Sequence, residues 1–207
     1  MPPKILYFDL GNVLVHFSHD RQCRQIAEVA GVPVDQVRQV LYEGTLGRDS
    51  ECGRVSVREA YDRLCGQLGV RPDFDALLKA NNDIFWLNIS IVPLVARLTS
   101  AGHRLGLLSN TSAAHWGFVS DGRFGGLLPS MFKPLVLSFQ VGVMKPDAAI
   151  YQAAAQAAGV EPHEIFYVDD ILGNVTAARQ FGFDAVQFTG TPQLAADLRQ
   201  RGVAFDF

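Results

Sequence analysis

The stretch Lys4-Ile5-Leu6-Tyr7-Phe8-Asp9-Leu10-Gly11-Asn12-Val13 decides the fold. Four apolar residues follow one another without polar alternation, which suits a strand buried on both faces of a parallel sheet. Asp9 ends the run, and Gly11-Asn12 makes a turn behind it. Comparable apolar runs recur at residues 104–108, 135–139, 165–168 and 185–188. Helical patterns separate most of them. Ile91, Val95 and Leu98 share one helix face, and Gly102 stops that helix. Lys145-Pro146 opens another helix, with Pro146 suited to its first position and Gly159 to its end. Val175, Ala178 and Phe181 precede Gly182 in the same manner, and Thr191-Pro192 begins a last helix carrying Leu194 and Leu198. Strands alternating with helices predict an α/β fold with a parallel sheet and right-handed crossovers.

Residues 18–88 break the alternation. Ile26, Val29 and Ala30 mark one amphipathic helix, and Val34, Val37, Val40 and Leu41 another. A polar stretch follows, Gly47-Arg48-Asp49-Ser50-Glu51-Cys52-Gly53-Arg54. Helical spacing then resumes with Ala60, Tyr61, Leu64 and Leu68, and continues through Leu77, Leu78, Asn81 and Phe85. Roughly seventy helical residues exceed what one βαβ crossover needs, so a helical subdomain is inserted after the first strand. The expected division is a core of residues 1–17 and 89–207 with an insert of residues 18–88.

The 207 residues are 48 % hydrophobic and 19 % charged, and the net charge is -3. Such a chain buries a sizeable core, and its composition is the opposite of a disordered one. With a pI near 5.9 and mean hydropathy of +0.12, no basic field serves nucleic acid or an anionic membrane. Cys23, Cys52 and Cys65 form no C-x-x-C pair and no disulfide framework, as expected of free thiols in a reducing compartment. The apolar run at the N-terminus stops at Asp9, too short for an export signal. No stretch reaches the ~20 apolar residues that span a bilayer. The expectation is a cytoplasmic chain, monomeric or homodimeric.

Open parallel sheets bind ligands beyond the carboxyl ends of their strands. After the first strand comes Asp9-Leu10-Gly11-Asn12. After the second come Ser109-Asn110-Thr111, read as opening a helix, and after the third Lys145 stands ahead of Pro146. After the fourth comes Asp169-Asp170. Each of these alone suits a cap, a turn or a solvated charge. Together they place three carboxylates on one edge. Two carboxylates about 4 Å apart repel by roughly 4 kcal/mol at an effective dielectric near 20. A divalent cation offsets that cost, and hard carboxylate oxygens suit Mg²⁺.

The ordered set Asp9-Leu10-Gly11-Asn12-Val13, Leu107-Leu108-Ser109-Asn110, Lys145-Pro146-Asp147 and Val168-Asp169-Asp170 resembles the haloacid dehalogenase-like hydrolase superfamily. It is most similar to the phosphatase branch whose first motif reads D-x-G-N-V. The resemblance implies a Rossmann-like core, a helical cap formed by the insert, Mg²⁺ dependence and an aspartyl-phosphate intermediate. It implies Asp9 as nucleophile and metal ligand, with the Gly11 carbonyl, Asp170 and Asp169 as the remaining metal-binding groups, Asp169 acting at one remove. Ser109 and the backbone of Asn110 would hold phosphoryl oxygens of a small phosphorylated substrate, a sugar phosphate or a nucleotide. Lys145 would neutralise charge on Asp9 and the phosphoryl group. Asn174, one turn after Asp170, is expected to orient that carboxylate, or to be an ordinary first-turn polar residue.

One position departs from the pattern. Most phosphatases of the superfamily carry a second Asp two residues after the nucleophile, as general acid and base; this chain has Gly11 there. Such help is typically worth 10²- to 10⁴-fold. His16 or His19 is a candidate substitute, and each equally suits a surface or hinge position. Tyr42, Arg48, Arg54 and Trp116 are candidates to face the cleft, although the two aromatics also suit a core. Two rival readings stand beside the phosphatase: a 2-haloacid dehalogenase using Asp9 on carbon, and a phosphoryl-binding or partner-binding protein with weak catalysis.

Overall fold

Strand β1, Ile5–Phe8, is buried at every residue because it runs through the middle of the sheet. The computed structural model describes residues 2–206. β1 pairs in parallel with β4 (Leu105–Ser109) on one side and β6 (Ile165–Asp169) on the other. β5 (Leu135–Leu137) and β7 (Asp184–Gln187) complete a five-stranded sheet of order β5-β4-β1-β6-β7. Side chains alternate between the two faces of a strand, and both faces of β1 are apolar. Leu6 and Phe8 join one core cluster with Leu94, Leu98 and Leu194. These come from helices α6 (Val92–Ser100) and α11 (Thr191–Gln200). Ile5 and Tyr7 join a second cluster with Ile150, Tyr151 and Val175, from α9 (Ala148–Ala158) and α10 (Leu172–Phe181). Two-sided burial explains the unbroken apolar runs. The architecture is the α/β one expected, a parallel sheet layered between helices.

Between β1 and α6 the described residues make five α-helices: α1 (His19–Ala30), α2 (Val34–Arg38), α3 (Leu46–Glu51), α4 (Val57–Leu68) and α5 (Phe74–Asn82). A single π-helical turn, Gln39–Glu43, follows α2. Capping fixes their starts: Ser18, Ser56 and Asp73 each accept the N–H three residues on. The helices pack around their own cluster, which includes Cys23, Ile26, Leu64 and Leu77. An antiparallel pair, β2 (Val15–Phe17) with β3 (Phe85–Leu87), joins the chain leaving for these helices to the chain returning.

Three local readings change. Phe85 is not on a helix face: α5 ends at Asn82 and Phe85 opens β3 opposite Phe17. The polar stretch at residues 47–54 is helical as far as Glu51, because Leu46 anchors α3 against the helical cluster. Pro146 lies outside its helix. α9 begins at Ala148, where the Asp147 carboxylate accepts the Ala149 N–H and caps the helix.

Candidate active site

The register of the sheet creates an electrostatic problem, and Lys145 answers it. Phe8 is level with Val168 on β6, so the next residues, Asp9 and Asp169, end neighbouring strands side by side. Like charges in that relation destabilise a sheet. The Lys145 ammonium stands between them, 2.8 Å from Asp9 Oδ1 and 2.7 Å from Asp169 Oδ2, with its side chain 1 % exposed. It also donates to the Leu108 carbonyl at 3.1 Å and the Tyr167 hydroxyl at 3.0 Å. Burial opposes the charge on Lys145, but Asp9 and Asp169 outweigh it and raise its pKa. Burial likewise pushes the Asp9 carboxyl up, to about 7, with Lys145 pulling down and Asp169 pushing up.

Asn110 fixes the lysine from behind. Its side-chain amide donates to the Lys145 carbonyl at 3.0 Å and accepts the Lys145 N–H at 2.8 Å. Ser109 is the buried last residue of β4, and its Oγ turns to the Asn110 carbonyl at 3.3 Å. The Ser109-Asn110-Thr111 segment does not open a helix directly. Helix α7 (Ala113–Val119) starts later, with Ser112 as its cap, so residues 109–112 form a loop between strand and helix.

The two acids after β6 differ in their partners. Asp169 is fully buried. Its Oδ1 accepts the Ile171 N–H at 2.8 Å, and Asn174 Nδ2 lies 3.2 and 3.1 Å from its two oxygens. Tyr167 donates to its Oδ2. Asn174 therefore holds Asp169, not Asp170: from the first turn of α10 its amide reaches the buried acid. Asp170 is half-buried and accepts from Asn12 Nδ2 at 3.0 Å. Burial comes first among the causes that raise its pKa. Asn12 adopts φ 54°, a left-handed conformation that Asn tolerates better than most residues; the Asn12–Asp170 bond joins the first and last motifs.

Oxygens of Asp9, Asp169 and Asp170 lie within 4.8 Å of one another. Three carboxylates against one ammonium leave two negative charges in a confined space. A divalent cation cancels them, and an all-oxygen donor set suits Mg²⁺. The residues present thus fit such an ion, with Asp9 and Asp170 turned less to protein donors than Asp169 is.

Phe17 fills the place beside Gly11. A Cβ built on Gly11 would lie 2.8 Å from Phe17 Cε1. The local bridge between residues 11 and 15 uses the Leu10 carbonyl and the Asn12 and Val15 N–H groups, and so leaves the Gly11 carbonyl out of it.

Other candidates lie elsewhere. His16 sits on β2 with its ring 5.9 Å from that of Trp86. His19 stacks between Phe17 and Tyr42, at 4.9 and 4.5 Å. Arg54 pairs with Asp49 at 3.2 Å, Arg48 is exposed, and Trp116 packs on the first core cluster. Tyr42 donates to Gln22 inside the helical insertion. Sequence reading missed Tyr167, although it lies two residues before Asp169 and hence on the same face of β6. It also gave no role to Asn12 or Ser138. The Ser138 hydroxyl donates to the Glu51 carbonyl at 2.6 Å and accepts the Thr111 N–H at 2.9 Å.

A parallel sheet carrying acids and a buried lysine on one edge defines a hydrolase class, and the chain belongs to it. Residues 3–182 match the haloacid dehalogenase-like hydrolase family. Among curated relatives, the chain is 26 % identical to the D-ribitol-5-phosphate phosphatase of Bacteroides thetaiotaomicron, over 95 % of each chain. It is 27 % identical to the glyceraldehyde 3-phosphate phosphatase of Methanopyrus kandleri, over 76 % of this chain and 70 % of the relative. A HAD family enzyme of Bacteroides thetaiotaomicron, solved with magnesium and inorganic phosphate, superposes with a TM-score of 0.80 at 24 % identity. That alignment covers 91 % of this chain and 95 % of the other, and it shows the shared fold. Among the described residues no helix is long and apolar enough to cross a membrane. Cys23, Cys52 and Cys65 are free and buried.

Proposed function

We propose that this protein is a Mg²⁺-dependent phosphatase that releases phosphate from a small phosphorylated metabolite through a phosphoryl group carried on Asp9. One observation carries the reading: the Lys145 ammonium lies 2.8 Å from Asp9 at the carboxyl edge of the sheet, with Asp170 close by. The phosphatase names of two relatives support it.

Asp9 is the nucleophile. A carboxylate oxygen forms a bond to phosphorus while the ester P–O bond breaks, and the leaving oxygen takes a proton to become an alcohol. Water then attacks phosphorus, freeing phosphate and restoring Asp9. Lys145 compensates the charge gathering on the phosphoryl oxygens and holds Asp9 in line. Ser109 and the Asn110 backbone receive phosphoryl oxygens at the end of β4. Asp9, Asp170 and the Gly11 carbonyl are the groups to hold Mg²⁺, which when bound supplies positive charge to the phosphoryl group. Asp169 positions Lys145, and Asn174 and Tyr167 position Asp169. With no carboxyl at residue 11, the leaving oxygen takes its proton from water or from the helical insertion. Residues 18–88 act as the cap that covers the site and selects the substrate.

The dehalogenase reading asks for a site that works without a metal, and two uncancelled negative charges oppose it. Phosphate release from a panel of phosphate esters, with Mg²⁺ and with EDTA, tests the proposal. Turnover should need Mg²⁺ and fall at least about 10³-fold in Asp9→Asn. Turnover retained in that variant overturns the mechanism. Halide release from 2-chloropropionate in EDTA would establish the dehalogenase, and ester binding without turnover the binding protein.

A further inference from the structure

An ammonium has three N–H groups to donate, and Lys145 meets four acceptors. They are Asp9 Oδ1 at 2.8 Å, Asp169 Oδ2 at 2.7 Å, the Tyr167 hydroxyl at 3.0 Å and the Leu108 carbonyl at 3.1 Å. One acceptor is always short of a proton, and no N–H is spare for a substrate. Moving the lysine is not the way out. Its side chain is buried, and Asn110 holds both of its backbone groups. Rotation about the Cε–Nζ bond is what remains, so a phosphoryl oxygen must take an N–H that an existing partner gives up.

The acceptors differ in what they keep when the lysine turns away. Asp9 has no other side-chain donor among the described residues. Asp169 is well supplied: its Oδ1 accepts the Ile171 N–H at 2.8 Å, and the Asn174 amide lies 3.2 and 3.1 Å from its two oxygens. The Tyr167 hydroxyl donates to Oδ2, the same oxygen that Lys145 touches. Three donors therefore stay with this fully buried carboxylate after the lysine leaves, and Tyr167 is the direct replacement at Oδ2. Burial alone does not turn a tyrosine this way. Tyr7 lies level with Tyr167 in the sheet and also two residues before an acid, yet its hydroxyl donates to the Ala154 carbonyl at 2.9 Å.

We propose that Tyr167 is a positioning residue for phosphoryl capture: its hydroxyl stays on Asp169 Oδ2 and so lets Lys145 turn one N–H from Asp169 to a phosphoryl oxygen beside Asp9. Only hydrogen bonds exchange, and the ammonium keeps its three protons. The inference rests on the phosphatase reading and goes beyond it by naming the bond that Lys145 releases. Without the hydroxyl, Asp169 loses the donor that frees the lysine, and Asp9, Asp169 and Leu108 occupy all three N–H groups. Charge on the phosphoryl oxygens grows towards the transition state, so the loss falls on kcat rather than on KM.

The test uses the full chain in Mg²⁺, with a phosphate ester that wild type turns over and with orthovanadate as a mimic of the five-coordinate phosphoryl group. Tyr167→Phe should lower kcat about tenfold, keep KM within about twofold and raise the vanadate Kd about tenfold. Tyr7→Phe removes a buried phenol hydroxyl from the neighbouring strand and should keep all three within about twofold. Equal losses in both variants would mark a general packing effect and overturn the inference. An unchanged kcat in Tyr167→Phe, or a loss confined to KM, overturns it as well. If Tyr167→Phe does not fold, Asn174→Ser strips a different donor from Asp169 and should also lower kcat; an unchanged kcat there overturns the inference. Should wild type release phosphate from no ester, the phosphatase reading fails, and vanadate calorimetry still decides. Weaker binding to Tyr167→Phe than to Tyr7→Phe sustains the role of Tyr167, and equal binding or none ends it.

Discussion

The ring of Phe17 occupies the space that a side chain on Gly11 would need, with 2.8 Å between Phe17 Cε1 and the Cβ position of residue 11. Phe17 is held there by its strand, paired with Phe85 across the β2–β3 ladder, and by the His19 ring stacked on it. The glycine and the phenylalanine are thus one steric unit. Restoring a carboxylate at residue 11 means displacing an aromatic ring.

Gly11→Asp alone should therefore lose stability by about 1–3 kcal/mol, the usual cost of forcing atoms into filled space. It should bring no gain in phosphate release. Gly11→Asp with Phe17→Ala makes room for the carboxylate and should exceed the single variant in turnover. Urea unfolding and phosphate release on wild type and these two variants check both statements; a faster Gly11→Asp single variant would contradict the steric account.

Lys145 separates two buried carboxylates, so its loss should cost stability as well as activity. Lys145→Met is expected to unfold about 3–5 kcal/mol more easily in metal-free buffer, the usual range when one partner of a buried ion pair is removed. Tyr167→Phe removes a hydroxyl bonded to both Lys145 and Asp169 and should cost about 1–3 kcal/mol. Denaturant midpoints without metal measure both, and a Lys145→Met protein as stable as wild type would refute the assigned electrostatics.

Ser138 is a tie between the helical insertion and the core. Ser138→Ala leaves the buried Thr111 N–H without its acceptor, at a cost of about 1–3 kcal/mol. If residues 18–88 close over the site, KM should rise more than kcat falls, because the lost tie precedes the chemistry. An unchanged KM would detach Ser138 from substrate binding. Gly53 belongs to the same junction: a Cβ there would sit 2.0 Å from the Phe139 carbonyl oxygen, so Gly53→Ala should also loosen it.

His115 gives a pH dependence of known sign. Its folded pKa of about 4 lies below the ordinary 6.5. Between those values the unfolded chain binds a proton that the folded chain does not, so stability from this residue falls as pH drops from 6.5 towards 4. His115→Asn removes that contribution. The stability gap between wild type and variant should therefore narrow from pH 7.5 to pH 4.5 in paired urea titrations; a gap independent of pH would show that His115 is not held neutral.

The sequence by itself determined the α/β class and the acidic edge. Unbroken apolar strands such as Ile5-Leu6-Tyr7-Phe8 can be satisfied only by burial on both faces, and the residue at or just after the end of each such strand is carried to the carboxyl edge of the sheet. Asp9, Ser109 and Asp169 were legible for that reason. Tertiary structure decided what is set by distance between segments far apart in the chain. No local pattern shows that Asn174 reaches Asp169 rather than Asp170, that Asn110 clamps the Lys145 backbone, or that Phe17 fills the space at Gly11. Arg48 and Arg54 suited the cleft or plain solvation equally in sequence; in the fold both are exposed, Arg48 on α3 and Arg54 just after it, paired with Asp49. Likewise, residues 22, 42, 51, 81 and 115 line one cavity only because α1, the π-helical turn, α3 and α5 come together beside the start of α7. Periodicity records which face of an element is buried, and only packing records what that face meets.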